Sequence, residues 1–474
     1  MKCTAMDKIT KSFQKRISGT VTPGLLVISS AFIIAIYAIL FVLTVQFDFS
    51  QRQVASEQAF YIAEAGINYY AWHLFKNPND YKDGTTNDPP YIHDYSDPQG
   101  AKIGQYSLNI IPPDANNIVT VESTGSTDRY PKVKRTIVAK YGKVSLSSFA
   151  FVVNTNLWFG KDITVNGIVH SNGGIRQDGT NTSYLKSAKS TYTCGIESGC
   201  TNPETKPGIW GTGKEESLWQ FPVPPIDYDG LNIDFANIKV HSQTSEGVYL
   251  PPGALGYHVV FSNDGTFNVY EVTGKNYLKA FSSENGCESL YQIITSETLL
   301  GSYQTADKDV VFAEADVWVE GIVNGVITVA AAQFPLGSYV TNIFIPNDLT
   351  YVDLSGNSRL GVIAQTDIIF TRNVPDYFDI HGALVAKDGR VIRHHYNYFG
   401  CRESGAGADS QKNEFNFLGT IITNKRSYWN FSSGAQSPAS GFVKSVLTFD
   451  ANMGNNPAPY FPSDQYRLLS WEEK

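Results

Sequence analysis

Two aspartates and a short basic run are the residues of this chain whose types and spacing could carry out a reaction. Asp376 and Asp379 lie in the sequence Val-Pro-Asp-Tyr-Phe-Asp, and two carboxyl groups that share one cleft can act as general acid and general base on a polysaccharide. The basic residues that follow are Arg390, Arg393, His394 and His395. Polar residues of this kind are more common in solvated turns, and the sequence does not show that the groups meet in one cleft. We therefore predict no catalytic residue and no enzyme.

The cysteines favour disulfide bonds over a metal site. Four of the five, Cys194, Cys200, Cys287 and Cys401, follow a long apolar N-terminal segment, and an exported region of a protein keeps its disulfides. Cys194 and Cys200 enclose a short loop with a glycine and form the natural local pair, which leaves Cys287 with Cys401. A metal site is the alternative, but the spacing matches no zinc pattern. We predict no metal and no cofactor.

The N-terminal region predicts a helix that spans a membrane and continues beyond it. Residues Thr20 to Phe47 include no charged side chain, and a bilayer core needs about 20 apolar residues in a helix. Basic residues precede this run, so the positive-inside rule places the N-terminus in the cytoplasm and the remainder of the chain outside. Helical character then continues to Phe75. A cleaved secretory signal and a coiled-coil stalk are the alternatives to an uncleaved anchor whose helix continues beyond the membrane.

Two stretches that flank the apolar run carry a resemblance to a known family. They are Lys15-Arg16-Ile-Ser-Gly19 and Ala59-Phe-Tyr-Ile-Ala-Glu-Ala-Gly-Ile67. Together with the helix between them, they resemble the N-terminal region of type IV pilus minor pilins of the PilX type. The segments similar to the short strands of that family are Gly104–Ile110, Val119–Gly125 and Arg135–Ile137. The resemblance ends near residue 140.

The resemblance implies how the chain is processed and assembled. A prepilin peptidase would cut after Gly19 and leave Thr20 as the mature N-terminus. The chain would then associate with the membrane, other pilin subunits and the pilus assembly machinery. The residues implied for subunit assembly lie on the helix beyond the apolar run and are Glu57, Phe60, Glu64 and Gly66. Gly24 stands where major pilins have a glutamate, which favours a minor subunit.

Five glycine-led segments predict the architecture of the large C-terminal region. Each has a glycine, three small or β-branched apolar residues and a polar turn, and they begin at Gly167, Gly321, Gly361, Gly382 and Gly419. A short buried strand of this kind cannot cover its own apolar face, so stacked copies form a continuous core. We predict a parallel β-helix, or β-solenoid, with a β-sandwich as the alternative.

The predicted fold class is mainly β, with a long pilin-like transmembrane helix, a small pilin-like α/β region and a β-solenoid-like domain that carries an insertion. The predicted boundaries, in chain order, are a cytoplasmic leader 1–19, the helix 20–76, the short-strand region 77–143, the start of the β-solenoid 144–177, an insertion with a disulfide loop 178–310, and the β-solenoid continuation with a C-terminal tail 311–474.

These elements favour a structural protein that is anchored in the membrane and exposed outside the cell, and not an enzyme. The formal net charge of -8 does not favour binding to nucleic acid, which requires a basic surface. We expect a structural or adhesive minor pilin-like subunit, anchored in the cell membrane by a single span, with its C-terminal domain outside the cell or on a pilus. A surface glycan or a protein is the expected ligand, and Trp158, Trp318 and Trp429 are candidate contacts. A membrane-tethered carbohydrate-active β-helix enzyme and a static envelope scaffold are the alternatives.

Overall fold

A computed structural model describes residues 21–77, 80–113, 118–228, 233–402, 407–431 and 439–474. The predicted cleavage site, Gly19 and Thr20, and the predicted leader 1–19 lie outside the described residues. The chain divides into two compact units. The first unit runs to Gly142 and also includes Tyr466–Lys474, and the second unit is Lys143–Gln465. The prediction of a mainly β chain with one long apolar N-terminal helix is confirmed.

The first unit begins with helix α1, Val21–Lys76. At 1.5 Å per residue its 56 residues extend about 84 Å. Pro23 lies in the first turn, where its missing N–H costs no hydrogen bond. The large apolar side chains from Leu25 to Phe49 are 51% to 70% exposed. Among the described residues, one helix is long and apolar enough to cross a membrane, and it is this one.

A twisted antiparallel sheet covers the C-terminal half of α1. Its strands are β1 (Tyr91–Ser96), β2 (Lys102–Ile111), β3 (Ile118–Thr127) and β4 (Lys134–Ser145), and the C-terminal strand of the chain, Ser463–Glu473, pairs beside β4. Alternate residues of β2 and β3 are buried, as a strand with one covered face requires. The core of the unit joins Ile62, Ile67, Tyr70 and Leu74 of the helix to Leu108, Val121, Ile137 and Tyr141 of the sheet.

Small residues let the helix approach this sheet closely. A Cβ on Gly125 would lie 2.1 Å from the Ala59 carbonyl oxygen and 2.5 Å from the Ala63 nitrogen. A Cβ on Gly66 would lie 2.3 Å from the Ser123 Oγ atom. Any side chain at these glycines would therefore separate the two layers, since real Cβ atoms do not pack at such distances.

The second unit consists of strands, most of them short, joined by turns. Its strands are β5 (Phe151–Val153), β6 (Leu157–Phe159), β7 (Ile163–Asn166), β8 (Val169–Ser171), β9 (Ile175–Gln177), β10 (Thr180–Asn181), β11 (Leu185–Ser187), β12 (Thr191–Cys194), β13 (Glu204–Pro207), β14 (Ile209–Trp210), β15 (Trp219–Gln220), β16 (Gly247–Leu250), β17 (Tyr257–Phe261), β18 (Thr266–Ser282), β19 (Gly286–Gln304), β20 (Val310–Ala313), β21 (Val317–Val323), β22 (Val326–Ala331), β23 (Ile343–Ile345), β24 (Leu349–Tyr351), β25 (Arg359–Ala364), β26 (Ile368–Phe370), β27 (Tyr377–Ala386), β28 (Val391–Ile392), β29 (Gln411–Thr423), β30 (Asn430–Phe431) and β31 (Ser440–Thr448). The short helices are α2 (Phe235–Ser242), α3 (Gly407–Ser410) and α4 (Ala451–Asn455), with 3-10 turns at Leu146–Ser148, Ile196–Ser198 and Glu216–Leu218.

Most of these strands form three parallel ladders. The first ladder joins β15, β11, β8, β5, β29, β27, β25, β22, β20 and β16 in spatial order. The second joins β17, β21, β23, β26 and β28. A separate parallel sheet outside the ladders consists of β6, β9 and β14. The third joins β21, β24, β27, β29, β31, β7 and β10. Side chains from these ladders share one large apolar core.

Glycines permit the close stacking of successive turns. Gly382 and Gly419, each at the start of a first-ladder segment, have φ values of +143° and +152°, which favour glycine. A Cβ on Gly419 would lie 1.8 Å from the carbonyl oxygen of Gly382. Glycine therefore begins these segments because the backbone there has a positive φ and lies against the backbone of the neighbouring turn.

Two predicted boundaries need correction. Residues 178–310 are not one insertion, because β10, β11, β15, β16 and β17 within them belong to the ladders. The described parts outside the three ladders include the hairpin β12–β13, strand β14, the connection from β15 to β16, and the hairpin β18–β19. The sequence predicts that 311–474 is the β-solenoid continuation with a C-terminal tail, but Tyr466–Lys474 belongs to the first unit because its strand pairs beside β4.

Candidate functional site

A long hairpin covers the outer side of the second ladder. Its strands β18 and β19 pair antiparallel over their whole length, and we call this hairpin the clasp. Trp318 of the ladder donates its indole N–H to the Gln292 carbonyl oxygen of the clasp at 2.9 Å. The apolar residues shared between the clasp and the ladder are Val272, Ile294, Trp318, Phe344, Ile369, Ile392, Tyr428 and Phe431. At its tip, the Cys287–Cys401 disulfide ties the clasp to the loop after β28.

The tip of the clasp also carries a network of ion pairs, in which Arg390 and His394 are buried and their carboxylate partners are partly exposed. Arg390 is paired with Glu284, which accepts a second hydrogen bond from the Tyr428 hydroxyl at 2.6 Å. Nearby, the Nε2 atom of His394 lies 3.2 Å from Glu288. Burial acts to raise the pKa of Glu288, but hydrogen bonds from His394 and two further side chains outweigh burial and lower this pKa to about 2. These groups fasten the clasp rather than face a cleft.

The remaining basic residues of the run are also structural. Arg393 is fully buried and donates to the carbonyl oxygens of Ser410 at 2.7 Å and of Arg372 at 3.1 Å. Burial lowers its pKa to about 10. Burial together with Arg393 lowers the pKa of the neighbouring His395 to about 4, which keeps that imidazole neutral. The buried charge is thus held by backbone dipoles, as a buried cation requires.

The two candidate aspartates lie apart from this basic network. Asp376 is mostly exposed and its carboxylate lies 3.3 Å from the Lys412 ammonium. Asp379 accepts a hydrogen bond from the Asn416 side chain at 3.0 Å. Neither aspartate lines either of the two cavities described below. The residues that the sequence grouped as possible acid, base and cation are therefore distributed over different surfaces.

A cavity of about 200 Å³ lies between the clasp and the second ladder. Its polar lining includes His258, Gln292, Glu320, Thr371 and Arg372. His258 contacts two carboxylates, with Nδ1 2.9 Å from Glu297 of the clasp and Nε2 3.1 Å from Glu320 of the ladder. An imidazole donates from both nitrogens only when it is protonated, so this bridge requires a cationic His258.

The electrostatics of the bridge agree with its geometry. Burial acts to lower the pKa of His258, but the hydrogen bonds and charges of Glu320 and Glu297 outweigh burial and raise this pKa. The hydrogen bond from His258 is the main cause that lowers the pKa of Glu320. The pair is therefore an ion pair in which each partner stabilises the charged form of the other.

A second, more polar cavity of about 490 Å³ lies beside the turns that follow the first ladder. Its wall includes Asn154 and Asn172. The amide of Asn172 donates to Asn154 at 2.8 Å, and the amide of Asn154 donates to Asn424 at 2.8 Å. This run of stacked amides has its hydrogen bonds largely satisfied within the turns, which gives it a structural role.

Two of the three candidate tryptophans are buried. Trp318 is 1% exposed and Trp429 is 4% exposed, so neither can stack on a surface ligand. Trp158 is half-buried, with the Arg176 guanidinium 4.4 Å from its ring centroid. The same guanidinium lies 4.8 Å from the ring of Trp210. The loop closed by the Cys194–Cys200 disulfide lies beside this stack, since Ser198 in that loop accepts a hydrogen bond from Arg176.

The four residues implied for subunit assembly do not share one surface. Gly66 faces the sheet of its own unit and is buried. Phe60 is half-buried, with its ring 5.9 Å from that of Trp471. Glu64 is half-buried and Glu57 is exposed. The exposed aromatic and apolar residues on this half of the helix are instead Val54, Tyr61, Trp72 and Phe75.

Of the residues that line the 200 Å³ cavity, the sequence singled out Trp318 but not the polar ones. His258, Gln292 and Glu320 come from three different strands, and no short motif joins them. The alternation in Tyr257–Phe261 could have indicated that His258 and Val260 point away from the core. The clasp partner, Glu297, depends on a strand register that the sequence does not reveal.

Comparisons with known proteins add little to this geometry. No protein-family model matches the chain, and no curated protein matches it. Among solved structures, the competence-associated pilin ComZ from Thermus thermophilus aligns with a TM-score of 0.27 and 15% identity over 89% of this chain and 97% of that chain. A TM-score this low does not establish a common fold.

Proposed function

We propose that this protein is a minor pilin-like subunit of a type IV pilus or pseudopilus of the PilX type, with a structural or adhesive role. Its second unit is then a β-solenoid displayed outside the cell, built from the three parallel ladders. The observation that carries the proposal is the helix α1. One half of it is apolar and exposed over the length of a membrane, and the other half packs on a sheet of the same chain.

The exposed face of the packed half supports assembly with other subunits. Val54, Tyr61 and Trp72 lie on the side of α1 opposite the sheet and are 51% to 60% exposed. Their spacings of seven and eleven residues return to the same side of a helix with 3.6 residues per turn. An exposed apolar stripe of this kind marks an interaction surface, and the helix of a neighbouring subunit has the shape to cover it.

We also propose that the protein is not an enzyme. The carboxylates and basic residues that could have supplied acid and base are held in separate ion pairs and hydrogen bonds, as described for Asp376, Glu288 and Arg393. General acid–base catalysis needs its groups within reach of one substrate. A tethered enzyme and a static scaffold are the rival functions that the test must separate.

Filament incorporation tests the proposal. In cells that make this protein, filaments are sheared off and the fraction of the chain in the sheared material is measured. Trp72→Glu is expected to lower that fraction several-fold, because it places a charge on the exposed stripe. Ile92→Glu is the control, since Ile92 is equally exposed, at 61%, but lies on the sheet. A wild-type chain that is absent from sheared filaments would refute the pilin-like assignment.

A further inference from the structure

We propose that the 200 Å³ cavity between the clasp and the second ladder binds one neutral sugar unit of a glycan. The cavity has room for about seven waters at about 30 Å³ each. It is smaller than the pockets of about 300–1,000 Å³ that hold drug-sized ligands. Its size therefore matches a single ring. The inference deepens the adhesive part of the proposed function and rests on it for access to glycans outside the cell.

The charges around the cavity favour a neutral ligand. Glu320 is already paired with His258, at 3.1 Å. Arg372 is already paired with Asp409, at 3.3 Å. An ionic ligand would have to break one of these pairs. A carboxylate still accepts more than one hydrogen bond and a guanidinium has five donors, so ligand hydroxyls, which both donate and accept, suit this wall.

Gln292 provides an orientation-specific donor. Its side-chain oxygen accepts from the Arg372 backbone N–H at 2.9 Å and from the Tyr396 hydroxyl at 3.0 Å, which fixes the amide. The side-chain nitrogen, Nε2, then has no partner among the described residues, although Gln292 is only 3% exposed. A buried donor without a partner is unfavourable, because it has lost its hydrogen bonds to water and gained none in return. A ligand hydroxyl at the inner end of the cavity would satisfy it.

The apolar part of the lining completes the site. Leu278 and Ile294 of the clasp and Pro346 of the ladder side face the cavity, and they can cover the C–H face of a sugar ring. A few convergent polar groups beside apolar walls are the usual composition of a ligand site. Because the clasp and the ladder both contribute, a bound ring would join them.

The test uses the full-length chain, purified in a zwitterionic detergent because a glycoside detergent would compete. The probes are methyl glycosides of glucose, galactose, mannose and N-acetylglucosamine, titrated to millimolar concentrations and followed by saturation-transfer NMR. At least one probe is expected to bind. Glu320→Gln and Thr371→Val should each weaken its affinity about tenfold, whereas Glu414→Gln should not. Glu414 is the matched control because it also pairs with a cation, Lys444, at 2.6 Å, but lies outside the cavity.

A second measurement does not depend on variants. A photoactivatable derivative of the bound glycoside should label the clasp, residues 266–304, or the strand that carries Glu320. The inference is overturned if no probe binds, if the two cavity variants bind as the wild type does, or if the label attaches elsewhere. Binding by a chain that never enters filaments would refute the pilus role and leave the site intact, so the two failures are distinguishable.

Discussion

In both units, glycines let two backbone segments lie closer together than residues with side chains would allow. The segments that approach each other differ between the two units. In the first unit, Gly66 and Gly125 let one helix contact one sheet. In the second unit, Gly382 and Gly419 let one turn of the chain stack on the next. The helix–sheet contact occurs once in the first unit, whereas contacts between stacked turns recur along the ladders of the second unit. The first unit therefore depends on a single helix–sheet contact, whereas the second depends on many contacts between stacked turns and on the clasp that covers the second ladder.

The largest expected effect concerns the disulfide at the clasp tip. Cys287 and Cys401 are separated by 114 residues, so removing their bond frees a long loop in the unfolded chain and costs about 5 kcal/mol by the chain-entropy relation. The Cys194–Cys200 pair, separated by 6 residues, costs about 2 kcal/mol by the same relation. Urea unfolding of the two double Cys→Ser variants measures both. Equal losses for the two pairs would show that loop length does not decide their contributions.

The next effect concerns the helix–sheet contact. Gly125→Ala is expected to destabilise the first unit by about 3 kcal/mol, because its Cβ would press on the backbone of α1. Gly24→Ala is the control, since a Cβ on Gly24 meets no atom within 4 Å. Hydrogen exchange measured peptide by peptide reports on each unit. Faster exchange in the ladders but not in the sheet would contradict the account of a single helix–sheet contact.

A smaller, pH-dependent effect is expected at the clasp. The folded-state pKa of His258 is raised above 6.5, so its bridge to Glu297 and Glu320 stabilises the protein fully below pH 6.5. That contribution is lost as the pH rises through the raised pKa. His258→Asn should therefore cost about 1–2 kcal/mol at acidic pH and less at alkaline pH. Melting curves of both proteins across this range check it, and a cost that grows with pH would have the wrong sign.

The smallest effect is expected at the aspartate that first suggested chemistry. The Asp376 side chain is 64% exposed and pairs only with Lys412 among the partners described here. Exposed ion pairs contribute little, so Asp376→Asn should change stability by no more than about 0.5 kcal/mol. Polysaccharide hydrolysis, measured with reducing-sugar assays, should be absent in both proteins. Turnover by the wild type that this variant loses would reinstate the enzyme hypothesis.

Local signals in the sequence predicted the long helix of the first unit and some features of the second unit. The charge-free run and the pattern to Phe75 predicted α1, because helix formation and membrane insertion depend on neighbouring residues. The glycine-led segments indicated stacked parallel strands, since a positive φ and a close approach both demand glycine. Cys194 and Cys200 were expected to pair because their separation is short.

Long-range pairing was harder to predict. The chain enters the first ladder in its middle, at β5 between β29 and β8, and no local pattern reveals that order. The clasp lacks the glycine-led pattern, and the sequence therefore predicts an insertion in its place. His258, Gln292 and Glu320 meet only through strand register. The candidate tryptophans are core residues for reasons that also depend on long-range packing, since Trp318 lies under the clasp and Trp429 lies in the common core of the ladders.

The mature N-terminus tests the central claim most directly. The claim is that α1 delivers the second unit to a filament as a pilin-like subunit. Mass spectrometry of the chain recovered from the cell surface should find an N-terminal peptide that begins at Thr20 and carries an N-methyl group. A surface-exposed chain that still retains the residues before Thr20 would contradict the pilin pathway and leave a membrane-tethered protein in its place.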